Sequence, residues 1–175
     1  MNDVAAPFGQ ISIELPSIQD TERYAKHLAQ CLSLPMVITL SGDIGAGKTT
    51  LVRALLRALG VQGPIKSPTY SLLETYDLPL QSPSSQVPAQ CHHFDLYRIV
   101  DDSELDFIGF RDYFQANTLC CIEWPERVSL SPDHIDLALL LIRSEHGRTL
   151  MMQANAKTAP ILHKSVHNFN LESQV

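Results

Sequence analysis

The chain has 175 residues, 13 basic and 19 acidic, giving a formal net charge of −6, with 45% hydrophobic and 18% charged residues. That balance excludes a disordered or collagen-like chain, and the acidic surplus argues against gripping a nucleic-acid backbone by bulk charge, though not against one local basic pocket for phosphates. At roughly 150 residues per domain the length fits one domain, long enough to bury a core without disulfide or metal staples.

The opening Met1-Asn2-Asp3-Val4 shows no basic region leading into an apolar stretch, so no signal peptide is expected. The most apolar run, residues 137–142, falls far short of the about 20 residues a membrane helix needs, which predicts a soluble, cytoplasmic protein with no membrane attachment. Ile11, Ile13 and Leu15 alternate with polar residues as a short strand ending at Pro16. Ser17-Ile18-Gln19-Asp20 reads as a capping box, and Tyr24, Ala25, Leu28, Cys31 and Leu32 follow as the buried stripe of its helix. Pro35 stops that helix, Met36-Val37-Ile38-Thr39-Leu40 reads as a buried strand, and a glycine-rich turn follows. Leu51, Val52, Leu55, Leu56 and Leu59 stripe a second helix that ends at Gly60.

Ser71 to Tyr76 reads as a strand running into residues 78–90, where Pro79, Pro83 and Pro88 with several Ser and Gln predict an exposed hairpin loop. His93-Phe94-Asp95-Leu96-Tyr97 is the next strand, and Asp101, Asp102 and Glu104 suit the first turn of a short helix. Leu119 to Trp124 forms another strand, stopped by Pro125. Residues 135–143 and 148–154 are two late strands flanking a turn at Glu145-His146-Gly147. Beyond Ala156 no periodicity stands out, so residues 1–155 are expected to be the domain and 156–175 a loosely ordered tail. Strands interleaved with helices, then strands alone, predict an α/β fold. Cys31, Cys91, Cys120 and Cys121 contain no C-x-x-C pair and read as small buried hydrophobes.

Gly42-Asp43-Ile44-Gly45-Ala46-Gly47-Lys48-Thr49 satisfies the G-x-x-x-x-G-K-[ST] pattern, with a buried strand before it and a helix after it. Glycines let successive amides turn inward on a polyphosphate, and the helix N-terminus adds partial positive charge. Lys48 would reach the β- and γ-phosphates and the Thr49 hydroxyl would ligate Mg²⁺. No Asn-Lys-x-Asp guanine motif occurs, since Asn155-Ala156-Lys157-Thr158 does not match, so ATP is favoured. Hydrolysis also needs carboxylates. Glu123 and Asp95 both close apolar strands that can deliver them, and a loop hydroxyl in Ser67-Pro68-Thr69 can sense the γ-phosphate. His92 and His93 lack further ligands at metal spacing and read as paired strand histidines. A small-metabolite kinase, or a module that binds nucleotide without turnover, stays open at this point.

GDIGAGKTTLVRALLRALG (42–60), KSPTYSLLETY (66–76), HFDLYR (93–98), the EL..IGFRDYF stretch (104–114) and IEWPE (122–126) occur in that order. Together they resemble the TsaE family, bacterial P-loop ATPases of tRNA threonylcarbamoyladenosine biosynthesis, over roughly residues 11–155. The resemblance implies a P-loop NTPase-like three-layer fold with a mixed, partly parallel central sheet. It implies a nucleotide site at Asp43, Ile44, Gly45, Ala46, Gly47, Lys48, Thr49 and Thr50, joined by Thr69, Trp124 and Arg148 from later motifs. Lys48, Asp95 and Glu123 would be catalytic, and Thr49, Glu123 and Asp95 would attend the magnesium ion. It further implies ATP hydrolysis in complex with TsaB and TsaD, weak alone, resetting the complex that modifies the adenosine beside the anticodon, with tRNA met indirectly through those partners.

Overall fold

A computed structural model describes residues 10–79 and 88–173. Its strands are β1 (Ile11–Leu15), β2 (Met36–Ser41), β3 (Leu73–Leu78), β4 (Ala89–Asp95), β5 (Thr118–Glu123), β6 (Leu137–Ser144) and β7 (Gly147–Ala154). They form one seven-stranded sheet in the order β1-β7-β6-β2-β5-β4-β3. The central β6, β2, β5 and β4 are mutually parallel, whereas β1, β7 and β3 join by antiparallel pairing. The helices are α1 (Ile18–Cys31), α2 (Lys48–Ala58), α3 (Ser103–Phe107) and α4 (Ala159–Glu172). This is the mixed, partly parallel α/β sheet expected.

Alternation along the strands separates two cores. Met36, Ile38 and Leu40 of β2, Leu119 and Cys121 of β5, and Leu137, Leu139 and Leu141 of β6 pack beneath α1, α2 and α4. On the opposite face Phe94, Ile122, Leu105 and Phe110 form a smaller core with α3 and the short 3₁₀ turn Phe110–Tyr113. That second layer covers β4 and β5; on the same face of β6, Leu140 and Ile142 remain exposed. Burial of β5 on both faces explains its unbroken apolar run, and solvent on one face of β6 explains its alternation.

The capping box forms: Ser17 Oγ accepts from the Asp20 amide at 3.1 Å, and the Asp20 carboxylate accepts from the Ser17 amide at 3.1 Å. β3 starts later than the strand expected from Ser71, because Leu72 sits at φ 64° with its amide bonded to Pro68 O at 2.7 Å. Leu78 and Ala89 pair at the hairpin end of β3 and β4, while residues 80–87 of the expected loop lie outside the described residues. Cys91, Cys120 and Cys121 are free and buried, and Cys31 is half-buried.

The loosely ordered tail is corrected. Residues 159–172 form α4, which lays Leu162, Val166 and Phe169 into the main core against α1. Pro160 lies at its first turn, but no side chain caps it: Thr158 bonds back to Asn155 Oδ1 at 2.9 Å and to Asp136 O. A narrow stripe without a local cap leaves a weak trace in sequence.

Candidate active site

The carboxyl ends of β2, β4 and β5 meet where the glycine loop passes from β2 into α2, the usual place for a ligand on an open parallel sheet. Gly42 has φ 128°, and a Cβ there would strike the Leu141 carbonyl oxygen. Gly47 has φ 109°, and a Cβ would lie 2.7 Å from Arg148 Nε. Both positions therefore require glycine.

Two arginines hold the loop by its carbonyls. Arg143 donates to Ile44 O at 2.8 Å and Arg148 Nε donates to Ala46 O at 2.9 Å. They are register partners across the β6–β7 hairpin. In a trans peptide the carbonyl of one residue points away from the amide of the next, so the Gly45 and Gly47 amides face away from the arginines. The first intrahelical bond runs from the Leu51 amide to Gly47 O at 2.9 Å, so the Lys48, Thr49 and Thr50 amides precede it. Together these N–H groups and the helix end form an anion cradle.

Lys48 is only 4% exposed. Its Nζ donates to Gly42 O and to Asp43 O at 2.9 Å and lies 3.7 Å from the Trp124 ring centroid. Burial pulls its pKa below the usual lysine value, against the opposing pull of Glu123, Glu126, Asp95 and Asp43. Such an ammonium gains most from an additional anion beside it.

Asp95 and Glu123 are register partners on β4 and β5, yet they serve different neighbours. Glu123 Oε2 accepts from Thr49 Oγ1 at 3.0 Å, and Glu123 Oε1 lies 2.8 Å from His93 Nε2. Asp95 Oδ2 accepts from Thr69 Oγ1 at 2.6 Å, and its Oδ1 accepts from the Tyr97 amide at 3.1 Å. Glu123 thus stands against the loop threonine and Asp95 against the Ser67-Pro68-Thr69 turn. Trp124 leaves β5 at φ 60°, anchored by its amide to Leu40 O at 3.1 Å, and its ring stacks obliquely on Tyr97 at 4.9 Å.

A cleft of about 320 Å³ gathers Ile44, Gly45, Gly47, Lys48, Thr49, Thr50, Thr69, Asp95, Glu123, Trp124 and Arg148 from the expected set. Asp43 and Ala46 do not line it; Asp43 supplies a carbonyl to Lys48, and Ala46 is buried with its carbonyl on Arg148. Tyr97, His93 and Arg143 were missed. Tyr97 stands inside the HFDLYR motif, but only the strand register turns His93 toward Glu123, and Arg143 reaches the loop from 99 residues away in sequence.

The Thr49 hydroxyl and Glu123 carboxylate form a hard oxygen donor pair that fits magnesium, which usually takes one or two carboxylates and completes its shell with phosphates and water. Among the described residues no group of three or more His, Cys, Asp or Glu could hold a metal ion by itself. Among those residues, too, no helix is long and apolar enough to cross a membrane.

The family model described as "Threonylcarbamoyl adenosine biosynthesis protein TsaE" matches residues 15–152. The chain is similar to proteins named tRNA threonylcarbamoyladenosine biosynthesis protein TsaE from three organisms. The Haemophilus influenzae protein is 43% identical over 110 residues, 60% of this chain and 65% of that protein, so the match spans just under two thirds of that relative. The Synechocystis protein is 36% identical over 67% of this chain and 72% of its own, and the Aquifex aeolicus protein 37% identical over 65% and 75%. Among solved structures, Bacillus subtilis YdiB shares the fold at a TM-score of 0.67 and 20% identity, covering 91% of this chain and 96% of its own. With a family model matching most of its length, the chain belongs to the TsaE family.

Proposed function

We propose that the protein is a magnesium-dependent ATPase, converting ATP to ADP and phosphate, that works with TsaB and TsaD proteins in the cytoplasm. There it supports threonylcarbamoyl modification of the adenosine adjacent to the anticodon in tRNA. The observation that carries the reading is the 3.0 Å contact between Thr49 Oγ1 and Glu123 Oε2 at the foot of the glycine loop. It supplies the acid that a bare phosphate-binding turn lacks.

On this reading the loop amides receive the phosphates, and Lys48 turns from the Gly42 and Asp43 carbonyls to the β- and γ-oxygens. Thr49 and Glu123 would hold magnesium, which when bound spreads the charge developing on the phosphate oxygens. Hydrolysis joins a water oxygen to the γ-phosphorus and breaks its bond to the bridging oxygen, releasing ADP. Asp95, oriented by Thr69 and the Tyr97 amide, is an acceptor for a hydrogen of that water.

Beside Thr69 the Tyr70 ring is 85% exposed, with the Arg98 guanidinium 4.4 Å above it. An open aromatic next to the phosphate sensor suits burial by a partner protein, and a partner that completes the site accounts for weak turnover alone. An acidic chain leaves tRNA to be held mainly by those partners. The test is phosphate release and tRNA modification with purified TsaB and TsaD. Addition of the pair should stimulate turnover, and E123Q should still bind ATP while losing about 100-fold or more of that rate. Fast hydrolysis by the isolated chain, indifferent to the pair, refutes the proposal.

A further inference from the structure

We infer that His93 is a positioning residue for this reaction, its Nε2–H fixing the Glu123 carboxylate so that Oε2 is presented to Thr49; the inference rests on the ATPase reading above. His93 is 0% exposed and Glu123 2%, so solvent orients neither group. Along β4, Cys91, His93 and Asp95 share the face that looks toward α2, whereas His92 points the other way, against Tyr113 at 4.7 Å. The two adjacent histidines therefore do not act as a pair. His93 pairs in register with Cys121, two residues before Glu123 on β5, and that diagonal brings Nε2 to 2.8 Å from Oε1.

An ionised carboxylate only accepts, so Nε2 carries the hydrogen. Oε1 is then engaged, and Oε2, accepting from Thr49 at 3.0 Å, is the oxygen facing the loop. Free rotation of the carboxylate would exchange the two oxygens; a directional bond from a buried ring prevents it. The ring's other nitrogen, Nδ1, is buried with no hydrogen-bond partner among the described residues. A leucine of similar size would avoid that orphan. What imidazole supplies in its place is the bond to Glu123, of the kind by which outer groups orient a ligand.

The test uses the full chain as wild type, H93L and H93Q, the last offering an amide N–H toward Glu123. Three quantities are read: ADP affinity in EDTA, the magnesium concentration that half-saturates the gain in that affinity, and kcat with KM in the presence of TsaB and TsaD. H93L should keep its metal-free affinity within about twofold, need about tenfold more magnesium and lose about tenfold in kcat with KM little changed, while H93Q recovers most of both. If H93L does not fold, H93N, whose amide is too short to reach Glu123, replaces it. Wild-type magnesium response and kcat in H93L would overturn the inference alone. So would equal impairment of H93Q and H93L in step with their melting temperatures, the mark of a merely structural role. A wild type that binds ADP yet shows neither magnesium response nor hydrolysis would overturn the ATPase reading together with it.

Discussion

Replacing Phe169 by alanine tests whether the last helix belongs to the folded unit. Phe169 is 3% exposed, meets Tyr24 edge-on at 5.6 Å between ring centroids, and carries the Arg23 guanidinium 4.4 Å above its ring. Withdrawing roughly 150 Å² of ring from water at about 25 cal/mol per Å² is worth about 4 kcal/mol. Partial collapse of the cavity and loss of the ring contacts act in opposite directions, leaving an expected loss of about 3–5 kcal/mol. For a chain of this size that lowers the melting temperature by roughly 10 °C. Urea unfolding followed by far-ultraviolet circular dichroism should show a lower midpoint at unchanged slope. Leu171, 52% exposed on the same helix, is the control, and its alanine variant should change stability by less than about 0.5 kcal/mol. A loss below about 1 kcal/mol for F169A would mean that the helix is not docked, and the reasoning would fail.

Lys48→Ala should weaken ATP-analogue binding by at least about tenfold in calorimetry while leaving the melting temperature near wild type, since the buried ammonium it removes already has a pKa depressed by burial. Gly47→Ala places a Cβ against Arg148 at φ 109° and should cost about 1–3 kcal/mol in urea unfolding together with nucleotide affinity; unchanged affinity would show that the loop's shape is not what binds. Burial pushes the His92 imidazole below its usual pKa of 6.5, so the unfolded chain takes up this proton at higher pH than the native one. Stability from this group is therefore full above pH 6.5 and lost as pH falls below it, and His92→Gln should flatten that part of the stability profile.

Strands were legible from apolar runs and alternation, α2 from its leucine stripe, and α1 also from a local cap. Ser17 and Asp20 announce α1 because both partners of the cap lie within four residues. α4 was not legible, because its cap residue bonds backward to Asn155 and Asp136 and its stripe comprises Leu162, Val166 and Phe169 among histidines, lysine and asparagine. Their i, i+4, i+7 spacing behind Pro160 was the available signal. Asp95 and Glu123 were recognisable as acids at strand ends, but their division between Thr69 and Thr49 was not. That division follows from the order β2-β5-β4, which sets β5 next to the strand that feeds the loop.

The sequence by itself determined the cradle. Glycines at 42 and 47, with Lys48 and Thr49 between an apolar strand and a leucine-striped helix, act over a few bonds, and short-range sterics and helix geometry suffice to shape such a turn. Only the tertiary structure decided what surrounds it: Arg143 and Arg148 on the loop carbonyls, His93 on Glu123, and a terminal helix closing the core over α1. The two arginine bonds and the histidine contact join residues between 30 and 102 positions apart. Separations of that size depend on strand order and register, which the seven strands settle jointly through burial and which no local stretch of chain encodes.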